Sequence, residues 1–140
     1  DFTVESVGQF TNMDVVFRAT HVMLDKLNLF KQAIQTNPEI IKDSDTTLQN
    51  SFDIKLIGED YTLGKAIEFV LYNKYYSMND SKPLNFCGFR KPHPHINESL
   101  IRLAFREPTE KSTVVSMLLE SAKSVEKVFK NIAEDFKPAE

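Results

Sequence analysis

Residues 52–76 read FDIKLIGEDYTLGKAIEFVLYNKYY, and the spacing of their apolar side chains changes partway along. Phe52 and Ile54 stand at alternate positions, which is typical of a strand with one buried face, and the run ends at Gly58. Apolar residues then recur at helical spacing, and the face they share comprises Leu63, Ile67, Val70 and Leu71. This stretch therefore predicts a strand followed by a helix that ends near Tyr76.

The same strand-like pattern occurs fifty positions earlier, and a helical pattern follows it there as well. The earlier pattern consists of Phe2, Val4, Val7 and Gly8. Its counterparts are Phe52, Ile54, Ile57 and Gly58. The repeat predicts a strand at residues 2–8 and two corresponding strand–helix units, although a match this short also arises by chance.

Two long helical patterns carry apolar seams with heptad spacing, in alternating steps of three and four residues. The first pattern covers residues 12–36, and its seam is Val16, Met23, Leu27, Phe30 and Ile34, with Thr20 filling one seam position. The second covers residues 110–136, and its seam is Val115, Leu118, Ala122, Val125, Phe129, Ile132 and Phe136. Heptad spacing favours the packing of a helix against another helix over the packing of a helix against a sheet.

We therefore predict that helices 13–34 and 110–136 pack against each other within one chain. The expected contact residues are Leu27, Phe30 and Ile34 on the first helix and Leu118, Val125, Phe129 and Ile132 on the second. Each large seam side chain left in water would cost roughly 1.5–3 kcal/mol, so each seam needs a cover. The alternative is that each seam packs only on the sheet of its own unit.

The remaining segments complete a mixed order of strands and helices. Residues 37–51 begin with Asn-Pro and are polar, which is typical of a linker, and residues 84–91 and 99–106 predict two further strands. The predicted fold class is α/β (α+β), in the order β-α-linker-β-α-β-β-α, with the two long helices as an intrachain pseudo-dimer. The corresponding division of the chain is 1–36, a linker at 37–51, and 52–140.

Composition and charge disfavour several classes of function. The net charge of −3 disfavours a nucleic-acid-binding domain, because such domains are usually strongly basic. The single cysteine excludes an internal disulfide and a cysteine zinc cluster within this chain. The sequence shows no signal peptide and no apolar run of the roughly 20 residues that a membrane helix needs. The first residue, Asp1, begins a strand-like pattern, so we expect the sequence to be the C-terminal part of a longer protein.

The candidate chemical motifs do not match known sites. Gly58 and Gly64-Lys65 resemble a phosphate-binding loop, but their spacing is wrong and no Ser or Thr follows the lysine. His93 and His95 lack an acidic or thiol partner at a ligand-like spacing, and Cys87 has no nearby base. We therefore predict no catalytic residues, no cofactor and no bound metal.

Two motifs resemble the small alpha-like subunits of archaeal and eukaryotic RNA polymerases. The first is Glu59-Asp60-Tyr61-Thr62-Leu63-Gly64, directly after a strand, with Asp60 or Thr62 as the expected N-cap of the helix. The second runs from Phe86 to Pro94, and its matching positions are Gly88, Phe89, Pro92, His93 and Pro94. The resemblance covers residues 52–136 and implies the two-layer dimerisation fold of alpha-like subunits, as a non-catalytic platform for polymerase assembly.

Residues 2–8 and the helix after them resemble the last strand and C-terminal helix of the large alpha-like subunit. The two parts are joined here by residues 37–51, an arrangement similar to that in large cytoplasmic DNA viruses such as African swine fever virus. The resemblance implies three kinds of partner, namely the second-largest catalytic subunit, the largest subunit and small zinc-binding subunits. It implies no direct specific nucleic acid and no membrane.

Three further expectations concern a subunit contact, the location and an alternative function. Arg90 and Lys91, at the end of a strand, are candidate contacts to another subunit. We expect the host cytoplasm and the virion as the location if the chain is viral, and the nucleus if it is from a cellular eukaryote. The alternative function is a generic α/β dimerisation module of another regulator or enzyme.

Overall fold

The computed structural model describes residues 1–45, 47–59 and 61–138. The helices are α1 (Asn12–Thr36), α2 (Tyr61–Tyr75) and α3 (Lys111–Asp135), and a short 3-10 helix covers Pro38–Ile40. The strands are β1 (Ile41–Asp43), β2 (Ser51–Ile57), β3 (Leu84–Arg90) and β4 (Glu98–Phe105). None of the described helices is long and apolar enough to cross a membrane.

The four strands form one antiparallel sheet in the order β1-β2-β4-β3. Along β2 the side chains alternate, so that Phe52, Ile54 and Leu56 are buried while Lys55 and Ile57 are exposed. The buried side chains join those of the helices in one hydrophobic core. The helices therefore cover one face of the sheet, which confirms the predicted α+β class and its two layers.

The two long helices pack against each other, as their seams predict. Thr11 begins α1 with a capping box, in which its hydroxyl accepts a hydrogen bond from the Asp14 amide and the Asp14 carboxylate accepts one from Thr11. Buried positions on α1 include Leu27, Phe30 and Ile34. The buried positions on α3 are Val114, Met117, Leu118, Ser121, Ala122, Val125 and Ala133.

The burial on α3 differs from the heptad line at its C-terminal half. Phe129 and Ile132, predicted as contact residues, are only partly buried, whereas Ala133 is buried. Phe129 still packs against the core. The buried face of α3 is wider than one seam, because α3 contacts α2 as well as α1. Met117 and Ser121 lie on this second side, and the Ser121 hydroxyl donates to the Met117 carbonyl oxygen at 2.9 Å.

The predicted strand at residues 2–8 is wrong for this structure. Residues 1–7 have no regular secondary structure, and Phe2 and Val7 are fully exposed. A strand needs a neighbour for its backbone groups, and the edges of the sheet are β1 and β3. The Ser6 amide instead donates to the Asn12 side-chain oxygen at 2.8 Å, which holds the segment beside the start of α1.

The segment interpreted as a linker contains structure of its own. Residues 38–40 form the 3-10 helix, and β1 adds an edge strand to the sheet in which Ile41 pairs with Ile54. Ile41 is buried and Ile40 packs against the same core, so these two apolar side chains anchor the polar segment. Thr46, also in this segment, lies outside the described residues. The division of the chain at residues 37–51 stays a prediction.

An ion-pair cluster joins the C-terminal halves of the two long helices. The Glu126 carboxylate on α3 accepts a hydrogen bond from Lys130 at 2.6 Å and another from Lys31 on α1. These bonds from Lys130 and Lys31 lower the pKa of Glu126 below its ordinary value. The cluster therefore stabilises the folded state while the carboxyl is ionised.

We expect the substitution Glu126→Gln to remove an acid-sensitive part of the stability. The ordinary pKa is 4.5 and the folded pKa is lower, so the contribution is complete above about pH 4.5 and disappears as the pH falls through the folded value. At pH 7 the variant should lose about 0.2–1 kcal/mol of unfolding free energy. Urea unfolding across pH 3–7 measures this, with Glu134→Gln as the control. Equal pH profiles for Glu126→Gln and the parent would contradict the prediction.

Candidate subunit-assembly site

The two sequence motifs meet where α2 begins beside the end of β3. A β-carbon built on Gly64 would lie 2.1 Å from Cε2 of Phe89, so the ring rests directly on the helix backbone. Only a glycine at position 64 leaves room for a ring at this distance. The contact therefore explains why the first motif has a glycine and the second an aromatic residue at these two positions. Gly64 and Phe89, twenty-five positions apart, are thus one structural unit.

Aromatic and cationic side chains extend this contact toward the surface. The ring centroids of Tyr61 and Phe89 are 5.6 Å apart at an angle of 53°. Lys65 Nζ lies 5.6 Å from the Phe89 ring, and Lys91 Nζ lies 5.7 Å from the Tyr61 ring. Cations over ring faces are attracted by the ring quadrupole, so the lysines and the rings stabilise one another.

The loop between β2 and α2 is tied to β4. Gly58 has φ +74°, in the left-handed region that favours glycine, and its amide donates to the Asn97 carbonyl oxygen at 2.8 Å. The Asn97 side-chain amide donates back to the Gly58 carbonyl oxygen at 3.3 Å. The Ser99 hydroxyl donates to the Glu59 carbonyl oxygen at 3.1 Å. These bonds fix the position at which α2 starts.

Glu59 also connects the first motif to α1. Its carboxylate accepts a hydrogen bond from Lys26 Nζ at 3.1 Å. Asp60, the first N-cap candidate, lies outside the described residues, and the second candidate, Thr62, is wrong because α2 begins at Tyr61 and includes it. Leu63, the next motif residue, is fully buried in the core.

The second motif leaves the sheet after Arg90. Gly88 is partly buried under the Phe86 ring, which would lie 3.1 Å from an added β-carbon. Arg90 is exposed and Lys91 is partly buried, while Pro92, His93 and Pro94 are exposed in a turn. The structure therefore brings Gly64 and Phe89 together and places the Pro-His-Pro turn at the surface beside them.

Cys87 on β3 is buried next to α2, and its thiol lies 3.8 Å from the Glu68 carbonyl oxygen. Burial, with a smaller effect from the Glu68 carboxylate, raises the pKa of the Cys87 thiol to about 12, so the thiol is protonated at neutral pH. Among the described residues, no group of three or more His, Cys, Asp and Glu side chains is arranged to hold a metal ion.

Sequence reasoning missed the residues that hold the site in place. Lys26, Asn97 and Ser99 were not predicted to contact the Gly58-Glu59 loop, yet each bonds to it. They lie 33 to 40 positions away from their partners, and no local pattern indicates such contacts. Ser99 alternates with the apolar Ile101 and Leu103, and a polar residue at such a buried position is a signal that could have indicated a bond of this kind.

A four-stranded antiparallel sheet beneath two long packed helices, with this motif junction at one end, defines a dimerisation-type module. The family model of the RNA polymerase Rpb3/Rpb11 dimerisation domain matches residues 51–135, which is more than half of the chain. The chain belongs to this family. The match begins at the first residue of β2 and ends at the last residue of α3, so α1 lies outside it. A comparison with curated proteins found no match.

Proposed function

We propose that this chain is a non-catalytic assembly subunit of a multisubunit DNA-directed RNA polymerase. In this proposal residues 52–140 act as a small alpha-like subunit. Residues 1–36 act as the C-terminal part of a large alpha-like subunit, and residues 37–51 join the two. The family match supports the polymerase assignment and disfavours the generic α/β dimerisation module, which stays the alternative.

The packing of α1 along α3 is the observation that supports the proposed fusion of two alpha-like subunits in one chain. The long helix of the matched domain is covered by a helix from outside the match, within the same chain. A domain of a dimerisation family thus has a helical partner in cis. This supports the reading of residues 1–36 as the remains of a second alpha-like subunit.

The partners follow from the same proposal. They are the second-largest catalytic subunit, the largest subunit and small zinc-binding subunits of the polymerase. A large cytoplasmic DNA virus is the proposed source, with the host cytoplasm and the virion as the location. The similarity of the fused arrangement to that of such viruses supports this part.

Purification of the tagged full-length protein from its native cells tests the assignment. We expect both large catalytic polymerase subunits to co-purify in fixed stoichiometry and the eluate to extend RNA on a DNA template. The isolated chain alone should show no nucleotidyl transfer. Absence of both catalytic subunits from the purified complex would overturn the polymerase assignment, and nucleotidyl transfer by the isolated chain would overturn the non-catalytic role.

Charge reversal at the end of β3 tests the candidate contact there. Arg90→Glu, alone and with Lys91→Glu, should weaken capture of a catalytic subunit by about tenfold, since the reversed charge would oppose a partner surface that complements a positive one. Arg90 is exposed, so the single variant should keep the parent's thermal stability. Lys127→Glu, an exposed site on α3, is the control. Unchanged capture by a well-folded Arg90→Glu variant would leave this segment as a structural turn only.

A further inference from the structure

Helix α2 carries apolar side chains on the face opposite the core. Lys65, Phe69 and Tyr72 follow one another in steps of four and three residues on this face. Tyr76, the next residue at this spacing, lies just past the end of α2 and is partly buried against the core. We term these four residues the outer stripe. Phe69 is 68% exposed and Tyr72 is 45% exposed. The inner face of α2, with Leu63, Ile67 and Leu71, is already buried in the core.

The contacts of α2 with its neighbours leave Phe69 and Tyr72 of the outer stripe exposed. The side toward α3 is held by the Tyr75 hydroxyl, which donates to a Glu120 carboxylate oxygen at 2.6 Å, and by Lys74 Nζ, 2.6 Å from the Ser124 hydroxyl. The side toward β3 contacts Phe89 through Gly64. A helix that is apolar on both faces is normally buried on both, so the outer stripe is suited to a partner.

The aromatic rings of the outer stripe are already ordered. Tyr72 and Tyr76 stack with centroids 4.6 Å apart and an angle of 20° between the rings. Ordered aromatic side chains lose little conformational entropy on binding, and they are enriched at the centres of protein interfaces. The pair and the exposed Phe69 ring therefore have the properties of an interface centre.

The exposed charged side chains on α2 itself are positive, and the exposed Glu120 carboxylate of α3 is bonded to Tyr75. Lys65 and Lys74 are exposed on α2, and Lys82 Nζ donates to the Asn73 carbonyl oxygen at 2.8 Å near the end of the helix. Glu68, the acidic residue between them on α2, is mostly buried and pairs with Lys65 at 3.4 Å. The nearby Asp80 carboxylate binds Arg106 at 2.6 Å. A complementary partner would have an apolar centre bordered by carboxylates.

We propose that the outer stripe is a docking surface for another subunit of the same polymerase, through an apolar patch with an acidic border. This inference rests on the proposed function and names a contact surface for it. A nucleic acid is disfavoured by the net charge of −3, and a lipid surface by the small number of apolar side chains in the stripe. These ligands and a second copy of this chain are outcomes of the test.

A photocrosslinking amino acid at position 69 of the full-length chain, in the assembled polymerase, tests the proposal. We expect a crosslink to a peptide of another polymerase subunit that contains Asp or Glu near the modified residue. Phe69→Ser with Tyr72→Ser should weaken binding of that purified subunit about tenfold or more. Both side chains are exposed, so thermal stability should stay close to the parent's.

A matched control is Val128→Ser on α3, where the side chain is 55% exposed and outside the outer stripe. It should leave the binding unchanged. A crosslink only to a second copy, to nucleic acid or to lipid would overturn the proposal, as would full binding by the folded double variant. Failure of the parent protein to co-purify with any catalytic subunit would instead overturn the proposed function itself.

Discussion

The substitution Leu27→Ala is expected to lower the free energy of unfolding by about 2–5 kcal/mol. Leu27 is 0% exposed on α1 and belongs to the core that α1 shares with α3 and the sheet. Truncation removes buried methyl groups and leaves a cavity that the surrounding helices can only partly fill. Urea unfolding followed by circular dichroism measures the effect.

Leu29→Ala supplies the control on the same helix. Leu29 lies two positions later but is 64% exposed, so the same change in chemistry should cost less than about 0.5 kcal/mol. Similar losses in the two variants would show that α1 is not held by its buried seam. Leu27→Ala in the native complex should also reduce co-purification, because α1 would separate more easily from α3.

The long helices were predictable because their seams are long and regular. The spacing of Leu27, Phe30 and Ile34 identified the buried face of α1, and Leu118 and Val125 did the same for α3. Periodicity gives the direction of a buried face but not its width, so it did not indicate that Met117 and Ser121 on α3 are buried as well. The width depends on α2, whose position is set by tertiary contacts.

Two segments, in contrast to the long helices, could not be predicted from their own patterns. Residues 2–8 have a strand-like pattern but no neighbouring strand, and they stay irregular, whereas residues 41–43 have little pattern but pair with β2. Strand formation depends on the available partner more than on intrinsic preference. Similarly, the two motifs were visible in sequence, but the contact between Gly64 and Phe89 required the fold to bring α2 over β3.

The substitution Gly64→Ala is expected to lower the free energy of unfolding by about 1–3 kcal/mol, although alanine favours helices over glycine by about 1 kcal/mol. The new methyl group would lie 2.1 Å from Cε2 of Phe89, so the ring must move away from the helix. The tilted contact of the Phe89 ring with Tyr61 would then be lost as well. Thermal and urea unfolding measure the change.

Two further variants separate this clash from a general effect of the substitution. Gly8→Ala is the matched control, because a β-carbon there would meet nothing within 4 Å, and it should change stability by less than about 0.5 kcal/mol. In the double variant Gly64→Ala with Phe89→Ala, the ring is absent and the added methyl has room. The summed costs of Gly64→Ala and Phe89→Ala, each made alone, should therefore exceed the cost of the double variant. The difference, which is the coupling energy, should be about 0.5–3 kcal/mol. Additive costs would show that the Phe89 ring does not rest on Gly64 in solution.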